Sequence, residues 1–261
     1  MPISQDDKFA FDVRGYLHLR GALSAEQVAE YTQWMNSVDS IDVKEFNRER
    51  AAMMDKYLNR PVSRVIDADP RFACFLDHPV TEQYLIEFLG ADYRHIDNDL
   101  YYTPPGYAGG GWHRGVRPHP TGHVRDGQFI CPMVKVFYCM TDVRTGEGEF
   151  TVVPGSHHTA FQIETKDRLD LPAQHIFDDV NAGDVIIFNE ALLHNGRPNL
   201  SPAKKTRKTM IVNFGRANAG VWEGYTPAAA TLERVTPRQR EILSNRTDAF
   251  WKEPEPAAVT T

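Results

Sequence analysis

The chain has 261 residues, 41% of them apolar, and a formal net charge of −6. That apolar share suffices for one well-buried core, and a mildly acidic chain without a long run of either sign offers no basic footprint for nucleic acid. No apolar run approaches the ~20 residues of a bilayer-crossing helix, and the start MPISQDDKFAF lacks the basic end and apolar stretch of a secretory leader, so a cytoplasmic protein with no membrane partner is expected.

Residues 1–96 read as helix-rich. Ser24 with Gln27 three residues on forms a capping box, and Val28, Tyr31 and Met35 then share one helical face. In HPVTEQYLIEFLG, residues Val80, Tyr84, Leu85, Phe88 and Leu89 line one face, and Gly90 supplies the stop. From residue 97 to 216 the pattern changes to short strands bounded by turn residues: HIDNDLYYT, MVKVFYCMT, GEFTVVPGS, GDVIIFNE and KTMIVNFG. No helical period separates them, which excludes a doubly wound sheet and predicts a mainly β fold, a jelly-roll barrel with flanking helices. Residues 217–251 read as a C-terminal helical region of the same single domain. The Pro-rich tail 252–261 is expected to be disordered. Cys74, Cys131 and Cys139 stand in no metal-binding spacing and fit buried thiols in a reducing compartment. There is no internal repeat, and neither helix carries an extended heptad that would set an oligomeric state.

Three polar elements of the β half stand out: His113, His194 and the basic cluster ending at Arg207. Residues far apart in the chain can meet at one mouth of a jelly roll. Imidazoles on rigid strands suit iron, and a guanidinium opening the strand after His194 can grip a carboxylate with two parallel hydrogen bonds. Around His113, the residues Arg114, Arg117, His119, His123 and Arg125 could attract an anionic small-molecule substrate, although a solvated loop face explains them as well. AGGG before Trp112 lacks the ending of a phosphate loop and reads as a mobile lid. His157 and His158 follow a turn and read as structural. Of Tyr101 and Tyr102, and of Phe137 and Tyr138, one of each pair should face the interior; Tyr102 is a candidate substrate contact.

In order, FDVRGYLHLRGALSAEQV, YYTPPG, GWHRG, TDVRTGEGEFTVVPGSHH, AGDVIIFNEALLHNGRPN and TRKTMIVNF resemble the phytanoyl-CoA dioxygenase-like branch of the Fe(II)/2-oxoglutarate oxygenases over most of the chain. The resemblance implies a double-stranded β-helix that uses Fe(II), 2-oxoglutarate and O2. It further implies His113 and His194 as iron ligands, Arg207 as the partner of the distal 2-oxoglutarate carboxylate, and Thr151 facing the co-substrate. One position departs. The family has His-x-Asp, with the Asp as third ligand, where this chain has His113-Arg114-Gly115. The related iron halogenases carry His-x-Gly or His-x-Ala and hold chloride in the vacated position, so Gly115 marks a candidate halide site.

Replacing Asp by Gly removes one negative charge and opens a volume beside the metal, and chloride would restore both. The expectation is therefore oxidation of an aliphatic C–H bond in a small molecule, ending in halogenation. The alternative is hydroxylation, with water or another carboxylate completing the site, Asp126, Asp97 or Asp99 being the candidates. Two further readings are a zinc hydrolase using His113, His119 and His123 and a barrel that binds without catalysing.

Overall fold

The computed structural model describes residues 3–38, 60–116, 124–125, 128–159, 162–217, 219 and 226–244. Helix α1 (Gln5–Arg14) is capped by the Ser4 hydroxyl and stopped by Gly15 in the left-handed region. Strand β1 (Tyr16–Leu19) follows, then α2 (Ala25–Val38), where both hydrogen bonds of the Ser24–Gln27 capping box form. After β2 (Arg60–Ser63), α3 (Glu82–Leu89) ends at Gly90 as its sequence requires. The β half contains β3 (Arg94–Thr103), β4 (Val124–Arg125), β5 (Gln128–Phe129), β6 (Met133–Cys139), β7 (Val143–Arg144), β8 (Phe150–Val152), β9 (His175–Ile176), β10 (Asp179–Val180), β11 (Val185–Asn189), β12 (His194–Gly196) and β13 (Arg207–Gly215). Two short helices close the described chain, α4 (Ala229–Arg234) and α5 (Pro237–Leu243). None of the described helices is long and apolar enough to cross a membrane.

A six-stranded sheet of order β1-β11-β6-β13-β3-β2 faces a smaller sheet of order β12-β8-β9, and all pairings are antiparallel. This is the jelly-roll barrel expected from the sequence. The region read as helix-rich also contributes two strands, β1 and β2, to the large sheet.

Both faces of that sheet are covered, so its strands are apolar almost throughout and the alternation rule must be applied to packing. Leu100, Tyr102, Val136, Tyr138, Met210 and Val212 point outward into one core with Phe11, Met35, Phe75 and Phe88 of the helical layer. Phe137, Cys139, Ile186, Phe188 and Ile211 point inward and meet Phe150 and Val152 of the small sheet. The aromatic pairs therefore divide: Tyr101 and Phe137 lie on the inner face, Tyr102 and Tyr138 on the outer. The Tyr102 hydroxyl donates to the Met35 carbonyl at 2.6 Å in the outer core. Its expected place at the interior pocket is corrected: Tyr102 faces the helical layer, and Tyr101 is the member of the pair on the inner face. The three cysteines are free thiols, and burial pushes those of Cys131 and Cys139 up to about 12.

His95, 2% exposed, is locked neutral on the helical side. The Asn98 side-chain amide oxygen Oδ1 accepts the Ile66 N–H, which leaves the side-chain nitrogen Nδ2 to donate to His95 Nε2 at 2.9 Å. Burial lowers the His95 pKa from 6.5 to about 4. The unfolded chain takes up a proton as pH falls through 6.5, whereas the folded chain resists until about 4, so stability present above pH 6.5 is lost on acidification. From pH 7 to pH 5 this one residue should cost about 2 kcal/mol. Urea unfolding of His95→Gln at the two pH values should show a shallower loss than the parent by that amount.

Candidate active site

His113 reaches the barrel mouth through an edge pairing. Its N–H donates to the His194 carbonyl at 2.9 Å, and the His194 N–H returns the bond at 2.9 Å. Gly110 extends the pairing with a 2.8 Å bond to the Gly196 carbonyl. The glycines permit this approach: Gly109 has φ +89°, and a Cβ there would come 3.1 Å from the Gly196 carbonyl oxygen. Trp112 anchors the other face against Leu171 and Leu193, its indole N–H donating to the Leu169 carbonyl. The AGGG segment is thus joined to β12 through Gly110.

The two imidazoles stand with ring centroids 4.2 Å apart. Nδ1 of His113 donates to the Gly111 carbonyl at 2.7 Å, and Nδ1 of His194 to the Leu192 carbonyl at 2.8 Å. Each bond fixes the tautomer that leaves Nε2 as a bare lone pair, the form a metal requires. Burial lowers the pKa of both rings. For His194, which lies well below the ordinary value, the neighbouring His113 and then Lys135 add to the effect. Both rings are therefore neutral at neutral pH.

Arg207 opens β13 on its inner face. A small cavity joins its guanidinium to Phe137, Phe150, Ile186 and Thr209. The guanidinium donates to the Gly148 carbonyl and, at 3.4 Å, to the Thr103 hydroxyl, while its buried Nε has no hydrogen-bond partner. Among the described residues it makes no ion pair with a carboxylate. Phe150 connects the two ends of the site, since its ring also lies 5.7 Å from that of His194.

Other sequence candidates fall elsewhere. Thr151 alternates with Phe150 and Val152, so it faces away from the barrel interior, paired with Asn195; its buried hydroxyl has no hydrogen-bond partner. Arg114 turns from His113 to donate through one guanidinium nitrogen to the carbonyls of Ser156 (2.8 Å) and Ala191, and through the other to the Thr159 hydroxyl at 3.4 Å. His157 and His158 both bond the Asp12 carbonyl and fasten α1, the structural role expected of them. Asp97 and Asp99 are buried on the inner face of β3. Arg117, His119, His123 and Asp126 lie outside the described residues.

Sequence reasoning passed over Glu190. It is fully buried, and its carbonyl accepts the N–H groups of Gly115 (3.0 Å) and Val116 (3.3 Å). Its Oε1 is 2.6 Å from Lys135 Nζ as an ion pair, without the geometry of a directed hydrogen bond, and Oε2 has no hydrogen-bond partner. Burial pushes this carboxyl up against the pull of Lys135. A signal was present: a lone carboxylate inside the apolar run DVIIFNEALLH needs a partner within the fold.

Known proteins share this architecture. HygX from Streptomyces hygroscopicus, with nickel and 2-oxoglutarate bound, superposes with a TM-score of 0.71 at 19% identity over 85% of this chain and 91% of that one. The carbocyclase SnoK from nogalamycin biosynthesis gives 0.59 at 19% identity over 90% and 92%. These likenesses concern the fold. The ectoine dioxygenase of Sphingopyxis alaskensis is 23% identical over 246 residues, covering 81% of this chain and 76% of that enzyme. The dioxygenase olcK of Penicillium canescens is 29% identical over 116 residues, and the match spans only 36% of the fungal protein. The description of phytanoyl-CoA dioxygenase (PhyH) matches residues 11–209, most of the chain. The chain therefore belongs to the phytanoyl-CoA dioxygenase family of non-haem Fe(II)/2-oxoglutarate oxygenases.

Proposed function

We propose that the protein hydroxylates an aliphatic carbon of a small polar molecule, with Fe(II) held by His113 and His194 and 2-oxoglutarate by Arg207. The observation that carries this reading is the paired imidazoles: both Nδ1 atoms are spent on backbone carbonyls, and neither Nε2 atom has a hydrogen bond among the described residues. Arg207 supports it as a half-buried cation in the same barrel interior that makes no ion pair with a carboxylate among the described residues, suited to a dicarboxylate co-substrate. When bound, iron with 2-oxoglutarate and O2 supplies the oxidising power for an unactivated C–H bond, and the chain supplies placement and exclusion of side reactions. The inner walls are aromatic, with Phe137, Phe150 and Phe188 packed around His194 and the cavity at Arg207. The substrate class is taken from the relatives: one is an ectoine dioxygenase, and HygX has been crystallised with hygromycin B.

Hydroxylation is preferred to halogenation because the volume beside Gly115 is filled. Glu190 atoms lie within 2.4 Å of where a Cβ at position 115 would stand, so the space a chloride would need already holds a carboxylate. The test is conversion of 2-oxoglutarate to succinate by the Fe(II)-loaded protein against a panel of small polar molecules, with mass analysis of the product. Fe(II)-dependent succinate formation, and a product heavier by one oxygen whether or not chloride is present, is expected. A chlorinated product would return the halogenase reading, and intact 2-oxoglutarate despite bound iron would indicate a binding barrel.

A further inference from the structure

We propose that Glu190 is the third protein ligand of the metal, supplying from the turn after β11 the carboxylate that position 115 lacks. The inference rests on His113 and His194 forming a metal centre, as proposed above.

Gly115 lies two residues after His113, in the bend that follows the His113–His194 bridge. A Cβ built on Gly115 would lie 2.1 Å from Glu190 Oε1, 2.3 Å from its Cγ and 2.4 Å from its Cδ. No real Cβ sits so close to another atom. The Glu190 side chain thus occupies the volume that a residue at 115 would need, and glycine is the residue that leaves room for it. The backbone enforces the arrangement: Glu190 is bonded to Gly115 and Val116 through its carbonyl, and its N–H donates to the Met133 carbonyl at 3.0 Å.

Beyond its ion pair with Lys135, the carboxylate has no hydrogen-bond partner at Oε2 among the described residues. A fully buried carboxylate with one unpartnered oxygen is costly, and a divalent cation between it and two neutral imidazoles would remove that cost. Two histidines and one carboxylate with positions left open is the donor set that suits non-haem Fe(II). Lys135 has the place of an outer partner, since ligating carboxylates are themselves held by hydrogen bonds or ion pairs. As the side chains stand, no three His, Cys, Asp or Glu among the described residues close a cage around an ion. Closing it requires the Glu190 carboxylate to turn toward the imidazoles.

The experiment is an anaerobic titration with Co(II) alone, followed through the visible bands of the bound ion, on the parent, Glu190→Gln, His194→Gln and the double variant Gly115→Asp/Glu190→Ala. Glu190→Gln should weaken Co(II) binding by more than roughly 100-fold, beyond the ~10–100-fold typical of losing only an outer partner. The double variant, with the carboxylate moved to 115 and the clash removed, should regain most of that affinity. Parent-like binding and spectrum in Glu190→Gln overturns the assignment and leaves the histidine site standing. No Co(II) binding by the parent, or unimpaired binding by His194→Gln, overturns the metal centre itself.

Discussion

His194→Gln should abolish Fe(II)-dependent turnover of 2-oxoglutarate, lowering succinate formation by at least about 1,000-fold, equivalent to ~4 kcal/mol in the rate-limiting barrier. The expectation follows from where His194 sits. It is 3% exposed and fixed at Nδ1 by the Leu192 carbonyl, and its ring lies 5.1 Å from that of Phe188, so no solvent-facing group can take its place. Glutamine keeps a polar arm of similar length but does not offer the imidazole lone pair. The effect should be specific to the loaded protein. Metal that binds only the folded state stabilises it by about 2.7 kcal/mol at a hundred times its dissociation constant. The melting temperature of the parent should therefore rise with Mn(II), and that of His194→Gln should not.

Arg207→Gln should raise KM for 2-oxoglutarate by about 100-fold with a smaller change in kcat, because it removes a charge-assisted, two-point grip worth roughly 3 kcal/mol. Arg207→Lys separates charge from geometry. It keeps the cation but loses the planar fork, and should fall between parent and glutamine variant. The buried Nε without a partner is the structural reason for a large effect: the guanidinium is held by the Gly148 carbonyl and the Thr103 hydroxyl, with donor capacity in reserve. Steady-state kinetics with 2-oxoglutarate as the varied substrate measures both effects. An unchanged KM in Arg207→Gln would remove Arg207 from the co-substrate site.

The main strands, the Ser24–Gln27 cap and the Gly90 stop could be read from local pattern, because each depends on neighbouring residues. That His113 and His194 would meet and Arg207 would line the same interior could be expected from motif order. What escaped was mostly a matter of phase. With both faces of the large sheet buried, the sequence around Tyr101 and Tyr102 is apolar on either side, and nothing local says which tyrosine faces the helices. Thr151 went astray in the same way. Glu190 escaped for a different reason: its significance depends on Gly115, 75 positions earlier in the chain, and only the folded backbone brings the two together. Arg114 looked like a substrate contact because an arginine beside a metal-site histidine has suggestive chemistry. Its actual partners, the carbonyls of Ser156 and Ala191, carry no mark in sequence.

The most direct measurement of the central claim, that His113, His194 and Arg207 together hold iron and 2-oxoglutarate, is an anaerobic visible titration of the Fe(II) protein with 2-oxoglutarate. The account predicts a charge-transfer band that saturates with 2-oxoglutarate, is absent in His194→Gln, and needs far more co-substrate in Arg207→Gln. Bound Fe(II) with no band at any 2-oxoglutarate concentration, or a band that persists in His194→Gln, would contradict it.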